Sequence, residues 1–216
     1  MKKQIAILGG AFNPPTIGHL KLAQFVLRSD NMFDEVWLTP CASHAYNKKM
    51  ESFEDRVRMC ELISKYDKRI KVFDYELKDN FKSTFHFIEN LLKNPIASQY
   101  DFSLIIGQDN ANNFDKWIEY EKLEKLIRFV VVTRKGEERN IESDWYLKEP
   151  HIYLCGVTDI PEMSSTALKV SLHRLRFVRD GLGSLDYEDN LKDVMESTSK
   201  DVFEYIDKNG LYKTEE

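Results

Sequence analysis

The sequence predicts an α/β fold, a doubly wound parallel sheet with a small C-terminal helical region. Three observations predict it. Apolar, β-forming runs recur at 4–8, 35–39, 71–75, 102–106, 129–133 and 152–154. Several, such as Phe102-Ser103-Leu104-Ile105-Ile106 and Phe129-Val130-Val131-Val132, are continuous rather than alternating, as strands buried on both faces require. Helical patterns lie between them, and alternating strands and helices with right-handed crossovers build a parallel sheet.

The elements follow in order. Ile5-Ala6-Ile7-Leu8 reads as a buried strand, and Leu20–Leu27 as the helix after it. Between them lies Gly9-Gly10-Ala11-Phe12-Asn13-Pro14-Pro15-Thr16-Ile17-Gly18-His19. Ser52 caps a helix with Val57, Cys60, Ile63 and Tyr66 on one face. Residues 83–92 form another, with Phe85, Ile88 and Leu92 inward and Pro95 beyond its end. Residues 164–177 are a basic helix, broken by Gly181-Leu182-Gly183-Ser184. An acidic stretch at 186–196 follows, then a helix at 199–209 stopped by Gly210. The whole chain, 1–216, reads as one domain, with an α/β core at 1–163 and a helical subregion at 164–216.

Composition bounds the function. With 42% hydrophobic and 31% charged residues, the 216-residue chain has an ordinary globular composition. A net charge of -5 argues against a nucleic-acid surface. No apolar run approaches the roughly 20 residues that span a bilayer. The N-terminus lacks the apolar length and cleavage site of a signal peptide, so a cytoplasmic protein is expected. The three cysteines, Cys41, Cys60 and Cys155, form no CxxC pair and read as buried or partly buried thiols in a reducing compartment. No set of side chains has metal-ligand spacing, and His86, His151 and His173 read as structural or surface groups.

Four stretches follow strand-like runs or open helices, where ligands of open α/β sheets bind. The Gly9-Gly10 turn leads into Thr16 and His19, which share one side of a helical first turn, suited to an anion or to simple capping. The stretch His44-Ala45-Tyr46-Asn47-Lys48-Lys49, with Arg56 and Arg58 beyond it, offers cations to a polyphosphate or forms a solvated basic loop. In Gly107-Gln108-Asp109…Trp117, Asp109 suits ribose hydroxyls or an N-cap, and Trp117 suits a flat heterocycle or the core. Ser164-Ser165-Thr166…Lys169 opens a helix with three hydroxyls, either an anion site or a cap.

In order along nearly the whole chain, these stretches resemble the nucleotidyltransferase superfamily, whose signatures are [HT]-x-G-H and I-S-S-T-x-[IL]-R. Ile-Gly-Gln-Asp…Phe-Asp-Lys-Trp, Val-Val-Val-Thr-Arg-Lys-Gly and the tail Val202-Phe203-Glu204-Tyr205-Ile206…Asn209-Gly210-Leu211-Tyr212 resemble the nicotinate/nicotinamide mononucleotide adenylyltransferase family. The resemblance implies a Rossmann-like fold. It implies transfer of AMP from ATP to nicotinate or nicotinamide mononucleotide, with Mg2+ accompanying ATP and pyrophosphate released. By the same resemblance His19 and Thr16 are the catalytic pair. Gly9, Gly10, Phe12, Lys48, Lys49, Gly107, Asp109, Arg134, Ser164, Ser165, Thr166 and Lys169 would bind ATP and its phosphates. Asn13, Thr84 and Trp117 would bind the mononucleotide. A homo-oligomer stays open. So do a related enzyme acting on phosphopantetheine and a nucleotide-binding sensor without turnover.

Four departures stand out. Thr16 replaces the histidine most bacterial nicotinate enzymes carry. Lys169 replaces the family arginine and its bidentate fork. The 44–49 segment looks more like the nicotinamide-type eukaryotic loop. The 181–196 region looks longer than usual for the family.

Overall fold

Strand β1 (Lys3–Gly10) forms the centre of a six-stranded, wholly parallel sheet. The computed structural model describes residues 2–42, 49–75, 81, 83–133, 140, 143–155, 164–182 and 186–213. The other strands are β2 (Glu35–Pro40), β3 (Ile70–Val72), β4 (Tyr100–Gly107), β5 (Arg128–Val132) and β6 (Ile152–Leu154). Their order is β3-β2-β1-β4-β5-β6. All six runs read from the sequence are strands. The chain reverses its winding between β1 and β4, so the carboxyl ends of those two strands border the crevice of a doubly wound sheet.

The helices are α1 (Ile17–Arg28), α2 (Phe53–Ser64), α3 (Thr84–Lys93), α4 (Gln108–Ala111), α5 (Tyr120–Leu126), α6 (Ser165–Arg179), α7 (Tyr187–Ser197) and α8 (Lys200–Asn209). Side chains alternate along β1 between two separate cores. Ala6 and Leu8 face α1, α2, α6, α7 and α8, while Ile5 and Ile7 face α3, α5 and Tyr146. Continuous apolar strands result because both faces are covered.

Serine caps start four helices where the sequence places them: Ser52, Ser83, Ser164 and Ser199 each accept a backbone N–H. Gly210, in the left-handed region at φ 62°, ends α8. Three expectations are corrected. The inner face of α2 is Arg56, Met59, Cys60, Leu62 and Ile63, while Tyr66 lies past the helix and is exposed. On α3 it is Phe87, Ile88 and Leu91, with Phe85 and Leu92 only partly covered. Cys155 is exposed, although Cys60 is buried and Cys41 half-buried. The acidic stretch, given no element from its composition, is α7, capped by Asp186 and seated on α6 and α1 through Leu191 and Val194. Among the described residues no helix is long and apolar enough to cross a membrane.

His151 has a structural role, as expected. Its Nδ1 accepts the Phe129 N–H at 3.2 Å, and its ring lies against Phe129 and Trp145. Burial pushes its pKa below the ordinary 6.5, partly opposed by Glu124. The unfolded chain therefore takes up this proton first as pH falls. The stabilisation is full above about pH 6.5 and declines below it, by less than the roughly 1.4 kcal/mol per pH unit of one whole proton, since the ring is only partly buried. Urea unfolding at pH 7.5 and 5.5 should show wild type losing more stability on acidification than His151→Gln, whose amide oxygen keeps an acceptor for Phe129. Equal losses would show that His151 does not contribute.

Candidate active site

The turn leaving β1 is the most constrained part of the crevice. Residues 12–16 are all buried, and Phe12 takes a left-handed backbone at φ 46°. A non-glycine residue holds that conformation only where its surroundings enforce it. The Phe12 ring packs on the His19 imidazole, with centroids 4.9 Å apart. Gly9, in contrast, is exposed, and a Cβ added there would meet nothing within 4 Å. A ligand therefore has room to approach the backbone at that point.

Thr16 and His19 form a capping box. Thr16 Oγ1 accepts the His19 N–H at 3.4 Å, and His19 Nδ1 accepts the Thr16 N–H at 3.0 Å. Thr16 Oγ1 also lies 2.8 Å from Nδ1. Since Nδ1 acts as an acceptor, the network assigns the proton of neutral imidazole to Nε2. Thr16 is 0% exposed; its hydroxyl caps α1, the capping alternative of the sequence reading, and its N–H orients the imidazole.

Other expected residues surround the same turn. Asn13 is buried; its Oδ1 accepts from Glu51 N–H at 3.1 Å and from the Tyr212 hydroxyl at 3.0 Å. Its Nδ2 donates to the carbonyl of Lys49, whose side chain is exposed. Asn13 thus braces the turn through Glu51, Lys49 and Tyr212. Ser164 caps α6, and the Ser165 hydroxyl donates to the Pro14 carbonyl at 2.7 Å. Both hydroxyls thus also serve the protein, Ser164 as the cap that the sequence reading allowed. Thr166 is exposed, and Lys169 lies partly buried one turn on.

The β4 side supplies the second border. Gly107 precedes α4 without a side-chain cap, and Gln108 is buried, donating to Asn112 Oδ1 at 2.9 Å and the Tyr146 hydroxyl at 2.8 Å. Asp109 is half-buried, and its carbonyl accepts from Asn113 Nδ2. Trp117 is half-buried with its indole 5.5 Å from the Phe114 ring, centroid to centroid. Thr84 is the first residue of α3, on the Trp117 face of the sheet. The crevice thus has the glycine turn, His19 and the start of α6 on one face, and Thr84 and Trp117 on the other. Lys48, Arg134 and His44 lie outside the described residues.

Two features near the crevice carry partners that the sequence does not display. Ser83 and His86 repeat one half of the α1 arrangement: His86 N–H donates to Ser83 Oγ at 3.4 Å, and that Oγ lies 2.8 Å from His86 Nδ1. The shared [ST]-x-x-H spacing was the available signal. Arg56, read as a phosphate-side cation, is instead 1% exposed and donates to the carbonyls of Ala11, Cys41 and Glu51. Arg58 is exposed and pairs with Glu61.

Comparison with known proteins is decisive at this point. The cytidylyltransferase-like family model matches residues 7–171, spanning both borders of the crevice. A "probable nicotinate-nucleotide adenylyltransferase" of Anaeromyxobacter dehalogenans (strain 2CP-1) is 30% identical over 213 residues, covering 98% of this chain and 97% of its own. The chain belongs to the nicotinate-nucleotide adenylyltransferase family. Another relative of that name, from Bacillus cytotoxicus, is 32% identical over 215 residues, covering 98% of this chain and all of its own. The fold matches the Plasmodium falciparum nicotinic acid mononucleotide adenylyltransferase complexed with NaAD, at a TM-score of 0.76 and 22% identity, covering 99% of this chain and 98% of that one. The family sheet, the glycine turn and the α6 start lie in the same chain order as the motifs read from the sequence.

Proposed function

We propose that this chain transfers the adenylyl group of ATP to nicotinate mononucleotide, forming deamido-NAD and pyrophosphate. Family membership supports the reaction class. The observation that carries the mechanism is the capping box that holds His19 at the β1 side of the crevice with Nδ1 occupied. A phosphate oxygen of the mononucleotide attacks the α-phosphorus of ATP, and the bond to the bridging β-phosphate oxygen breaks. Nε2–H of His19 would donate to an α-phosphate oxygen as charge builds there. The chain supplies no nucleophile, because the substrate's own phosphate attacks. Positioning and charge neutralisation are the protein's contribution.

The open backbone at Gly9 suits close approach of the triphosphate. Asp109 would accept from ribose hydroxyls and the exposed side of Trp117 would stack on the pyridine ring, with Thr84 nearby. Thr166, Lys169 and Lys49 would meet phosphate oxygens, joined by Lys48 and Arg134. Mg2+ would come to this site as a companion of ATP. It would keep phosphate and water ligands and neutralise charge on the triphosphate.

Pyrophosphate release from ATP and Mg2+, run in parallel with nicotinate and nicotinamide mononucleotides, tests the proposal. Turnover with a higher kcat/KM for the nicotinate substrate is expected. A preference for the nicotinamide substrate would reverse the substrate assignment and agree with the character of the 44–49 segment. No release with either, from folded protein that binds ATP, would direct attention to phosphopantetheine or to a sensor.

A further inference from the structure

Three consecutive residues of the phosphate turn are held by hydroxyls from the C-terminal helical region. The Tyr212 hydroxyl donates to Asn13 Oδ1 at 3.0 Å, Ser165 to the Pro14 carbonyl at 2.7 Å and Thr198 to the Pro15 carbonyl at 3.0 Å. The three donors come from different places: the start of α6, the residue after α7 and the tail beyond α8. All three acceptors belong to buried residues. Buried carbonyls need partners, and a turn of two prolines has no N–H of its own to build a ladder around them.

The tail hydroxyl is itself fixed. Tyr212 is 5% exposed. Its N–H donates to Glu51 Oε1 at 2.6 Å, and Arg176 donates to its carbonyl at 2.7 Å. Burial raises the pKa of the phenol well above the ordinary tyrosine value, so it remains a donor. The Glu51 N–H meets the same Asn13 oxygen. Thr16, whose capping box orients His19, directly follows Pro15.

We infer that Tyr212 and Thr198 are positioning residues for the transfer reaction: their hydroxyls hold residues 13–15 so that His19 and the Gly9-Gly10 backbone meet the triphosphate in register. This rests on the adenylyltransferase reading above. The inference gives the C-terminal region a role in kcat, beyond its role in covering one face of the sheet.

Tyr212→Phe and Thr198→Val remove the hydroxyls while keeping side-chain bulk. Tyr205→Phe is the control: it removes a hydroxyl that joins α8 to Asp55 of α2 at 2.7 Å and touches no part of the turn. Well below every variant's melting temperature, kcat for pyrophosphate release should fall about tenfold in Tyr212→Phe and Thr198→Val, with KM for ATP within about twofold. Tyr205→Phe should lower the melting temperature yet keep kcat. Amide hydrogen exchange at residues 9–13 and 16 should speed up in the first two variants and not in the control.

Wild-type kcat in both hydroxyl variants would overturn the inference, whether or not exchange changes. So would a Tyr205→Phe loss of the same size, since general loosening would then suffice. If wild type shows no turnover with any mononucleotide, the functional reading has failed. Exchange then decides separately: unchanged protection of the turn overturns the clamp, and selective loss supports it.

Discussion

Replacing His19 with alanine is expected to lower kcat by about a hundredfold to a thousandfold, with ATP affinity changed by about threefold or less. The asymmetry follows from when the contact matters. In the proposed mechanism, ground-state triphosphate would be bound by many donors, including backbone N–H groups and lysines. The Nε2–H donor would strengthen as the α-phosphorus gains its fifth oxygen, so its loss would fall on the transition state. The capping box makes this donor preorganised: Nδ1 already accepts the Thr16 N–H, so no tautomer search precedes the reaction. The substitution also removes one half of the box, which costs about 1 kcal/mol of helix stability, so kinetics must be measured where both proteins are folded. Pre-steady-state pyrophosphate release with calorimetric ATP titration separates the two effects. A variant with intact kcat and weakened ATP binding would mean that His19 is a binding group only. A wild-type protein with no turnover to lose would favour the sensor reading.

Arg56→Leu is expected to cost about 3 kcal/mol of stability, from three backbone carbonyls losing a donor at roughly 1 kcal/mol or more each. For a chain of this size that lowers the melting temperature by about 6–12 °C. Arg56 ties together the segment after β1, the segment after β2 and the approach to α2, through Ala11, Cys41 and Glu51. Its guanidinium also lies over the Phe53 ring, 5.3 Å from the centroid. Leucine fills the volume and supplies none of these donors. Differential scanning calorimetry of the variant is the direct measurement. The result that would reverse this account is an unchanged melting temperature with weakened ATP binding, which is what a phosphate-side cation would give.

Arg56 also shows where sequence reasoning loses sight of the site. A cation near a strand end reads as a phosphate ligand, because its charge is visible and its partners are not. Here the partners are main-chain carbonyls, which carry no residue identity. The same burial hid the inner face of α2: an arginine among Met59, Cys60 and Ile63 breaks the apolar pattern from which a face is read. Helix α7 escaped for a related reason, since Leu191 and Val194 are few among acidic residues. Conversely, all six strands were legible, because strands covered on both faces must be apolar throughout.

What the sequence by itself determined is short-range. The Gly9-Gly10 turn, the Thr16-x-x-His19 box and the serine caps join groups within a few residues, where local geometry alone makes the bond. The family signatures rest on these. Tertiary structure alone decided which hydroxyls serve the protein and which face the crevice. Ser165, Thr198 and Tyr212 belong to the first kind, and the bond from Tyr212 to Asn13 spans 199 positions. A hydroxyl donates to whichever acceptor the packing places before it, and helices α6 to α8 bring these donors to the turn only by burying their apolar faces on the sheet.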